Sequence, residues 1–241
     1  MEPALQPVHE ASSRSEQAYL LLKSAILSLR LKPGEPLVET RLARQLHIST
    51  TPLREALARL KREGLVVGTP FKGAIVAPVT LEDAREILEI RKALEADTVT
   101  SARQRLADDE LAALRELLTR QQAALQAGDL DGCSALGKQF HLLLLRPTHN
   151  RHLQAIFENL DDHFHRIRLL SGRIPRRLQE SLEQHAAILA AVEADEGVCA
   201  AQLVRAHLDS VYRDLAANWS SLTTESAVAE PIAIHSVESA T

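Results

Sequence analysis

Three histidines stand on the inward faces of three separate helical segments, where metal coordination or a buried polar contact could occur. His141 precedes an apolar run, His185 fills the gap in a seam over residues 178–192, and His207 lies in the apolar stripe of residues 203–215. Neutral imidazoles are good ligands for zinc or nickel, and three of them plus water make an open site. A lone histidine on such a face is usually a hydrogen-bonded core residue, so the metal hypothesis depends on all three converging.

A second set of residues could recognise the bases and phosphates of a nucleic acid. Residues 49–66 read STTPLREALARLKREGLV, so Ser49, Thr50, Thr51 and Arg54 occupy the first turns of a short helix. The recognition helix of a helix-turn-helix meets base edges with its first turn. Short hydroxyl groups suit phosphates and bases there, and a long arginine suits guanine. The alternative, without a role in nucleic-acid binding, is a cationic helix face exposed to solvent.

Basic side chains are concentrated in the N-terminal part of the chain. Residues 1–78 carry eleven Lys and Arg against seven Glu, a net +4, and because the whole chain carries −4, the remainder carries −8. Arg41 and Arg44 are predicted to contact phosphates, and Lys72 and Gly73 to reach the DNA from a wing tip. The opposite charges of the two halves predict two domains with different partners.

The periodicity predicts the elements that position these residues. Residues 1–14 are expected to be disordered, and residues 15–77 to form three helices and a hairpin, which is a winged helix-turn-helix order. A linker at 78–80 leads to an all-helical domain over 81–222, followed by a flexible tail at 223–241. The predicted fold is mainly α, with an all-α bundle of six to seven helices. Its helices are placed near 81–106, 108–127, 130–146, 150–171, 175–194 and 197–221.

The composition and hydropathy of the chain argue against a membrane-spanning or secreted protein. The chain is 45% hydrophobic and 25% charged, as in ordinary globular proteins. No apolar run reaches the length of a membrane span, and no signal peptide is evident, so we expect a cytoplasmic protein without membrane contact. Cys133 and Cys199 lack metal-binding spacing, and both are predicted to be small core residues.

The front half resembles the DNA-binding domain of the GntR family of bacterial transcription regulators over about residues 17–77. The segments LKPG, LVE, STTPLREAL and EGLV carry the resemblance. It implies operator binding by a homodimer. Thr40 and Thr50 stand where the family usually has arginines, and Leu29 and His47 stand where it usually has glycines. Arg54 is therefore predicted to be the main base-reading residue.

The back half, residues 81–217, resembles the FCD effector domain of the FadR branch through ILEIRKALE, KQFHLLLL and SLEQHAAILAAVEADEGVCAAQLVRAHLD. The resemblance implies a divalent metal, zinc or nickel, held by an aspartate and three histidines. His141, His185 and His207 match the histidines, but Gly137 stands at the aspartate position.

The same resemblance implies that Arg91 points into the effector cavity. A guanidinium suits a carboxylate, so the expected effector is a small organic acid. The alternative for Arg91 is an ion pair with Glu95 on the helix surface. Arg166 and Arg168 are weaker candidates for the same role.

Three functions follow as hypotheses. The first is a ligand-responsive regulator, expected to be a repressor, that binds double-stranded DNA at a near-palindromic operator. The second is a three-histidine metal hydrolase, although the chain has no HExxH motif, nucleophile elbow or glycine-rich phosphate loop. The third is a helical module that binds a protein partner.

Overall fold

A computed structural model describes residues 13–69, 73–148, 150–174 and 176–228. The chain divides into two compact units, Met1–Pro78 and Val79–Thr241. The predicted architecture, a winged helix-turn-helix followed by an all-helical bundle, is confirmed. Disorder is predicted for residues 1–14; residues 1–12 lie outside the described part of the chain, whereas Ser13 and Arg14 are the N-cap and the first residue of a helix.

The first unit contains three helices and a two-stranded sheet. They are α1 (Arg14–Leu27), α2 (Glu39–Gln45), α3 (Thr50–Arg62), β1 (Val66–Thr69) and β2 (Gly73–Val76). The strands are antiparallel, with Val66 opposite Val76 and Thr69 opposite Gly73. Leu53, Leu57 and Leu60 are buried on one face of α3, as their spacing predicts.

Helix α1 begins one residue earlier than the sequence predicts. Ser13 is extended, and its hydroxyl oxygen accepts from the backbone N–H of Glu16 at 3.1 Å. A serine at this position stabilises the first turn, because it satisfies a backbone donor that has no partner in the helix.

In the first unit, two described non-glycine residues adopt the left-handed backbone at helix ends. Leu29 has φ 58° and His47 has φ 52°. The backbone N–H of Ile48 reaches back to the carbonyl of Ala43 at 3.0 Å, which closes the end of α2. The positions where the family resemblance implies glycine therefore keep the conformation that favours glycine.

The second unit is helical throughout its described residues. Its seven α-helices are α4 (Leu81–Val99), α5 (Ala102–Arg105), α6 (Asp108–Gln126), α7 (Leu130–Leu145), α8 (Arg151–Ser171), α9 (Arg177–Glu193) and α10 (Gly197–Val228), with a 3-10 turn at Arg146–Thr148. Thr80 and Asp83 form a reciprocal capping box at the start of α4.

Helix boundaries differ from the prediction at two places, of which the first is the end of α4. The single helix expected over 81–106 is broken at Thr100 and Ser101. The hydroxyl of Thr100 donates to the carbonyl of Ala96 at 2.9 Å, a contact that bends helices. Gly197 also packs so closely on the Thr100 carbonyl that a Cβ there would lie 1.9 Å from its oxygen.

Helix α10 continues to Val228, so residues 223–228 belong to a helix rather than to the predicted tail. The sequence has no proline or glycine between residue 222 and Pro231, so nothing in it stops the helix at the predicted end. The rest of the predicted tail, residues 229–241, lies outside the described residues.

The core of the bundle is built from aliphatic and phenylalanine side chains, including Leu88, Phe140 and Phe164. Cys133 is buried, as predicted, but Cys199 is exposed. Cys199 lies one residue before Ala200 on α10, and the buried stripe of that helix runs through Ala200 and Val204 instead. Within the described residues, no helix is both long and apolar enough to cross a membrane.

Candidate functional site

The first turn of α3 displays its polar side chains outward. Ser49 is the exposed N-cap residue and makes no side-chain capping bond. Thr51 and Arg54 are exposed, and Thr50 is half-buried. Burial of the leucine face of α3 orients this turn, because the polar positions then lie on the opposite face.

Arg54 is held by an ion pair with the preceding helix. Its Nε lies 2.6 Å from Oε2 of Glu39 on α2, and both side chains remain substantially exposed. The pair can exchange for a base or phosphate contact at low cost, because exposed ion pairs contribute only about 0–1 kcal/mol.

The predicted phosphate-contacting residues lie at the surface of the same unit. Arg44 is exposed, and exposed Arg41 donates from Nη2 to the carbonyl of Pro36 at 3.2 Å. Gly73 is exposed at the start of β2 with φ 71°, a left-handed conformation that favours glycine in the wing. Lys72 lies outside the described residues.

The three predicted histidines converge in the second unit. His141 on α7, His185 on α9 and His207 on α10 are all buried. The Nε2 atoms of His141 and His185 are 3.1 Å apart, and the candidate ligand atoms of all three lie within 4.8 Å of one another. Three nitrogens on one tetrahedral zinc ion would be about 3.3 Å apart, so the His141–His185 separation fits such a site and the ligand atoms of the cluster would draw together around an ion.

Each histidine is oriented by a hydrogen bond from its Nδ1 atom. His141 Nδ1 lies 2.7 Å from Oε2 of Glu95, and His207 Nδ1 lies 2.8 Å from Oε1 of Gln184. His185 Nδ1 lies 3.3 Å from Oε1 of Gln121. These oxygens accept, so the Nδ1 atoms carry the protons and each Nε2 keeps a lone pair; those of His141 and His185 face one another, as in histidines that bind a metal.

Sequence reasoning missed these orienting residues. Glu95 and Gln121 are buried, and each continues an apolar face, Glu95 one turn after Arg91 on α4 and Gln121 one turn after Leu117 on α6. A polar residue in an otherwise apolar stripe is the signal that could have identified both. Gln184 gives no such signal, because it simply precedes His185.

Burial keeps the imidazoles neutral. It lowers the pKa of His141, with the Glu95 carboxylate opposing the shift, and it lowers the pKa values of His185 and His207 well below the ordinary value. Burial alone would raise the pKa of Glu95, but Arg91 and His141 outweigh it and lower that pKa to about 2. Three neutral imidazoles beside an ionised carboxylate fit a divalent cation.

Gly137 faces this cluster without a side chain. A Cβ at this position would lie 2.9 Å from Nε2 of Gln121 and 3.4 Å from Cε1 of His185. The Gln121 amide donates to the carbonyl of Cys133 at 3.2 Å and thereby fills the space beside Gly137.

Arg91 forms the ion pair with Glu95 that the sequence offers as an alternative, but the pair is buried rather than on the surface. Arg91 Nε lies 2.5 Å from Glu95 Oε1, and the two side chains are 1% and 4% exposed. The guanidinium carbon lies 4.0 Å from the ring centre of Phe164. Arg91 thus reaches His141 through Glu95 and is absent from the described wall of the adjoining cavity.

A cavity of about 40 Å³ opens beside the histidines. Its wall includes Arg168 and Arg177, together with Ser134, Ser171 and Ser181. Arg168 Nη2 lies 2.7 Å from Oδ1 of Asp161. The third arginine named from the sequence, Arg166, is buried but is not among the described wall residues.

Comparisons with known proteins match both units. The model of the bacterial regulatory proteins of the gntR family matches residues 14–76, and the FCD domain model matches residues 86–210. The HTH-type transcriptional regulator YdhC of Bacillus subtilis is 32% identical over 80% of this chain and 87% of its own length. The HTH-type transcriptional repressor RspR of Escherichia coli is 26% identical over 88% of this chain and 91% of its own.

Solved protein structures also match the fold of this chain. Escherichia coli McbR/YncC has a TM-score of 0.67 and 29% identity, covering 88% of this chain and 98% of its own. A GntR transcriptional regulator from Rhodococcus sp. RHA1, with a TM-score of 0.71 and 22% identity over 85% and 98% of the two chains, supports the fold alone. These proteins are regulators, so the hydrolase and partner-module alternatives are set aside. The chain belongs to the GntR family of bacterial regulatory proteins and is a transcription regulator with a C-terminal FCD domain.

Proposed function

We propose that this regulator acts in the cytoplasm as a homodimeric repressor of a near-palindromic operator. A twofold dimer presents two recognition helices to two half-sites. Ser49, Thr50, Thr51 and Arg54 contact bases or adjacent phosphates. Arg41 and Arg44, with the wing at Lys72 and Gly73, contact the DNA backbone.

We further propose that a divalent metal and a small organic acid bind in the FCD domain. The convergence of the three histidine rings, each fixed by a bond at Nδ1, carries this proposal. His141, His185 and His207 hold the metal, which supplies a positive centre for a carboxylate. Arg91 contributes by fixing Glu95 and, through it, His141.

The acid regulates DNA binding only as far as it binds one arrangement of the protein better than another. Its burial among α7, α9 and α10 makes such a preference physically reasonable, because a ligand there changes how three helices pack. In this proposal, the acid releases the repressor from its operator.

Selection from fragmented genomic DNA tests operator binding. The purified chain should retain one or a few near-palindromic sequences at moderate salt, and millimolar amounts of a small carboxylate should release some of them. Affinity should fall steeply with salt, because each neutralised phosphate releases counterions. Failure to enrich any sequence, with or without carboxylates, would overturn the proposed operator recognition.

Elemental analysis of untagged protein tests the metal site. We expect zinc or nickel near one ion per chain, and loss of that ion in a variant with His185→Ala and His207→Ala. Protein that carries no metal and gains none on titration would end the metal proposal while leaving operator binding intact.

A further inference from the structure

Part of the Arg54 guanidinium is already bonded within the protein. Its Nε lies 2.6 Å from Oε2 of Glu39, and among the residues that the structure describes Nη1 and Nη2 make no hydrogen bond. A guanidinium bonds O6 and N7 of guanine through two of its N–H groups. With Nε engaged, the end-on fork of Nη1 and Nη2 is the bidentate contact left to this side chain.

Glu39 belongs to the same packed pair of helices. It is the first residue of α2, where a carboxylate interacts favourably with the helix N-terminus. Leu42 of α2 and Leu53 of α3 are buried in one core, so the two helices hold the partners at a set separation. An arginine that is fixed at one nitrogen loses less rotamer freedom on binding a base than a free arginine does.

Arg54 is the only cation among the four residues proposed to contact bases, since Ser49, Thr50 and Thr51 are uncharged. Its orientation therefore decides how much of the binding depends on sequence. An arginine that turns freely also bonds phosphate oxygens, and phosphate contacts carry no sequence information.

Glu39 also weakens the wrong complex. Its carboxylate repels the phosphates of DNA that approaches α3. When Arg54 bonds guanine through the fork, the ion pair stays closed and the carboxylate stays neutralised. When Arg54 turns to a phosphate instead, the carboxylate loses its partner beside the DNA backbone. Such a repulsion raises specificity, because it weakens the competing complex more than the correct one.

We infer that Glu39 is a positioning residue that holds Arg54 end-on for a guanine in each half-site and thereby sets operator specificity. The ion pair stays closed on the operator and opens on other DNA, where Arg54 contacts a phosphate. Glu39 acts through Arg54 and touches no base itself. The inference rests on the proposed operator recognition and deepens it.

Two substitutions of Glu39 separate positioning from charge. Glu39→Ala and Glu39→Gln both remove the negative charge, but only glutamine keeps an oxygen that accepts from Arg54 Nε. Fluorescence anisotropy measures the affinity of each variant for a duplex that the wild-type protein selects from genomic DNA and for a scrambled duplex. We expect the ratio of the two affinities to fall about tenfold or more in Glu39→Ala and by less than about threefold in Glu39→Gln.

The salt dependence shows where Arg54 goes. For each phosphate contact that Arg54 gains on the scrambled duplex, the slope of log K against log salt should be steeper by about 0.9 in Glu39→Ala than in Glu39→Gln. The control is Glu55→Ala, which removes an exposed carboxylate from α3 and should leave the affinity ratio at the wild-type value. An unchanged ratio in Glu39→Ala, or equal ratios in the alanine and glutamine variants, would overturn the inference.

A guanine analogue locates the contact. The base 7-deazaguanine keeps Watson–Crick pairing but lacks the N7 acceptor, and it replaces each guanine of the selected half-site in turn. At one position it should weaken wild-type binding about fivefold or more and Glu39→Ala binding less than about twofold, because both changes remove the same contact.

Two kinds of failure are distinguishable. A half-site without guanine, or analogue losses that are equal in the wild type and Glu39→Ala at every position, would overturn the role of Glu39 while operator binding stands. A wild-type protein that binds the selected and scrambled duplexes equally would overturn operator recognition itself, and the inference with it.

Discussion

The two units of this regulator contain the same ion pair in opposite surroundings. Arg54 and Glu39 in the DNA-binding unit are 2.6 Å apart and 66% and 37% exposed. Arg91 and Glu95 in the FCD unit are 2.5 Å apart and almost fully buried. The exposed pair can open to meet DNA, whereas the buried pair is fixed and orients His141. Burial, rather than residue type, separates an arginine that can change partner from one that is fixed in place.

Removing the carboxylate of each ion pair should give the largest difference in stability between the two units. Glu95→Ala leaves Arg91 charged and buried without its partner, so the free energy of unfolding should fall by about 3–5 kcal/mol. Glu39→Ala is the matched control and should cost less than about 1 kcal/mol. Urea unfolding of each variant checks both values. Similar losses in the two variants would contradict the contrast between the units.

Removing Arg54, the proposed base-reading arginine, should affect DNA binding without affecting the fold. Arg54→Ala is expected to weaken operator binding by about 1–3 kcal/mol and to relax sequence preference, because a base contact is lost. Arg151→Ala removes an exposed arginine from the other unit and should leave operator affinity unchanged. Fluorescence anisotropy with operator and scrambled duplexes measures both. A loss that is equal on the two duplexes would assign Arg54 to phosphate contacts.

Disturbing one orienting residue should weaken the proposed metal site. Gln184→Leu removes the acceptor of His207 Nδ1, and metal affinity should fall about 10–100-fold. Gln179→Leu alters an exposed glutamine of the same helix and serves as the control. Competition with a chromophoric chelator gives the affinities. Unchanged affinity in Gln184→Leu would show that His207 needs no support from this amide.

The smallest expected effect is a pH dependence in the DNA-binding unit. Burial opposes ionisation of Glu63, but contacts with Lys23 and Tyr19 outweigh it and lower its pKa below the ordinary value. A lowered pKa stabilises the fold above the unfolded-state pKa, about 4.3, and this stabilisation is lost as pH falls through the folded-state pKa.

Glu63→Gln should therefore flatten the decline of stability with acid below about pH 4.3. Glu55→Gln, which alters an exposed carboxylate of α3, should retain the wild-type profile. Thermal unfolding across the acid range measures the difference. If the stability of Glu63→Gln fell with pH in parallel with that of the wild type, Glu63 would contribute nothing to the loss of stability in acid.

The two units also differ in how far the sequence predicts them. In the DNA-binding unit, the leucine spacing of α3 predicts both the helix and the exposed position of Arg54, because local periodicity fixes which face is buried. In the FCD unit, apolar seams indicate that His141, His185 and His207 face inward. The break at Thr100 escapes prediction, since it depends on the approach of Gly197 from a distant part of the chain.

The sequence by itself determined the helices, their buried faces and the inward direction of the three histidines, because these follow from periodicity within each segment. Only the tertiary structure decided that the histidines meet, that Glu95, Gln121 and Gln184 orient them, and that Arg168 rather than Arg91 lines the cavity. Those contacts join residues many positions apart. Their geometry depends on how whole helices pack, which no local pattern encodes.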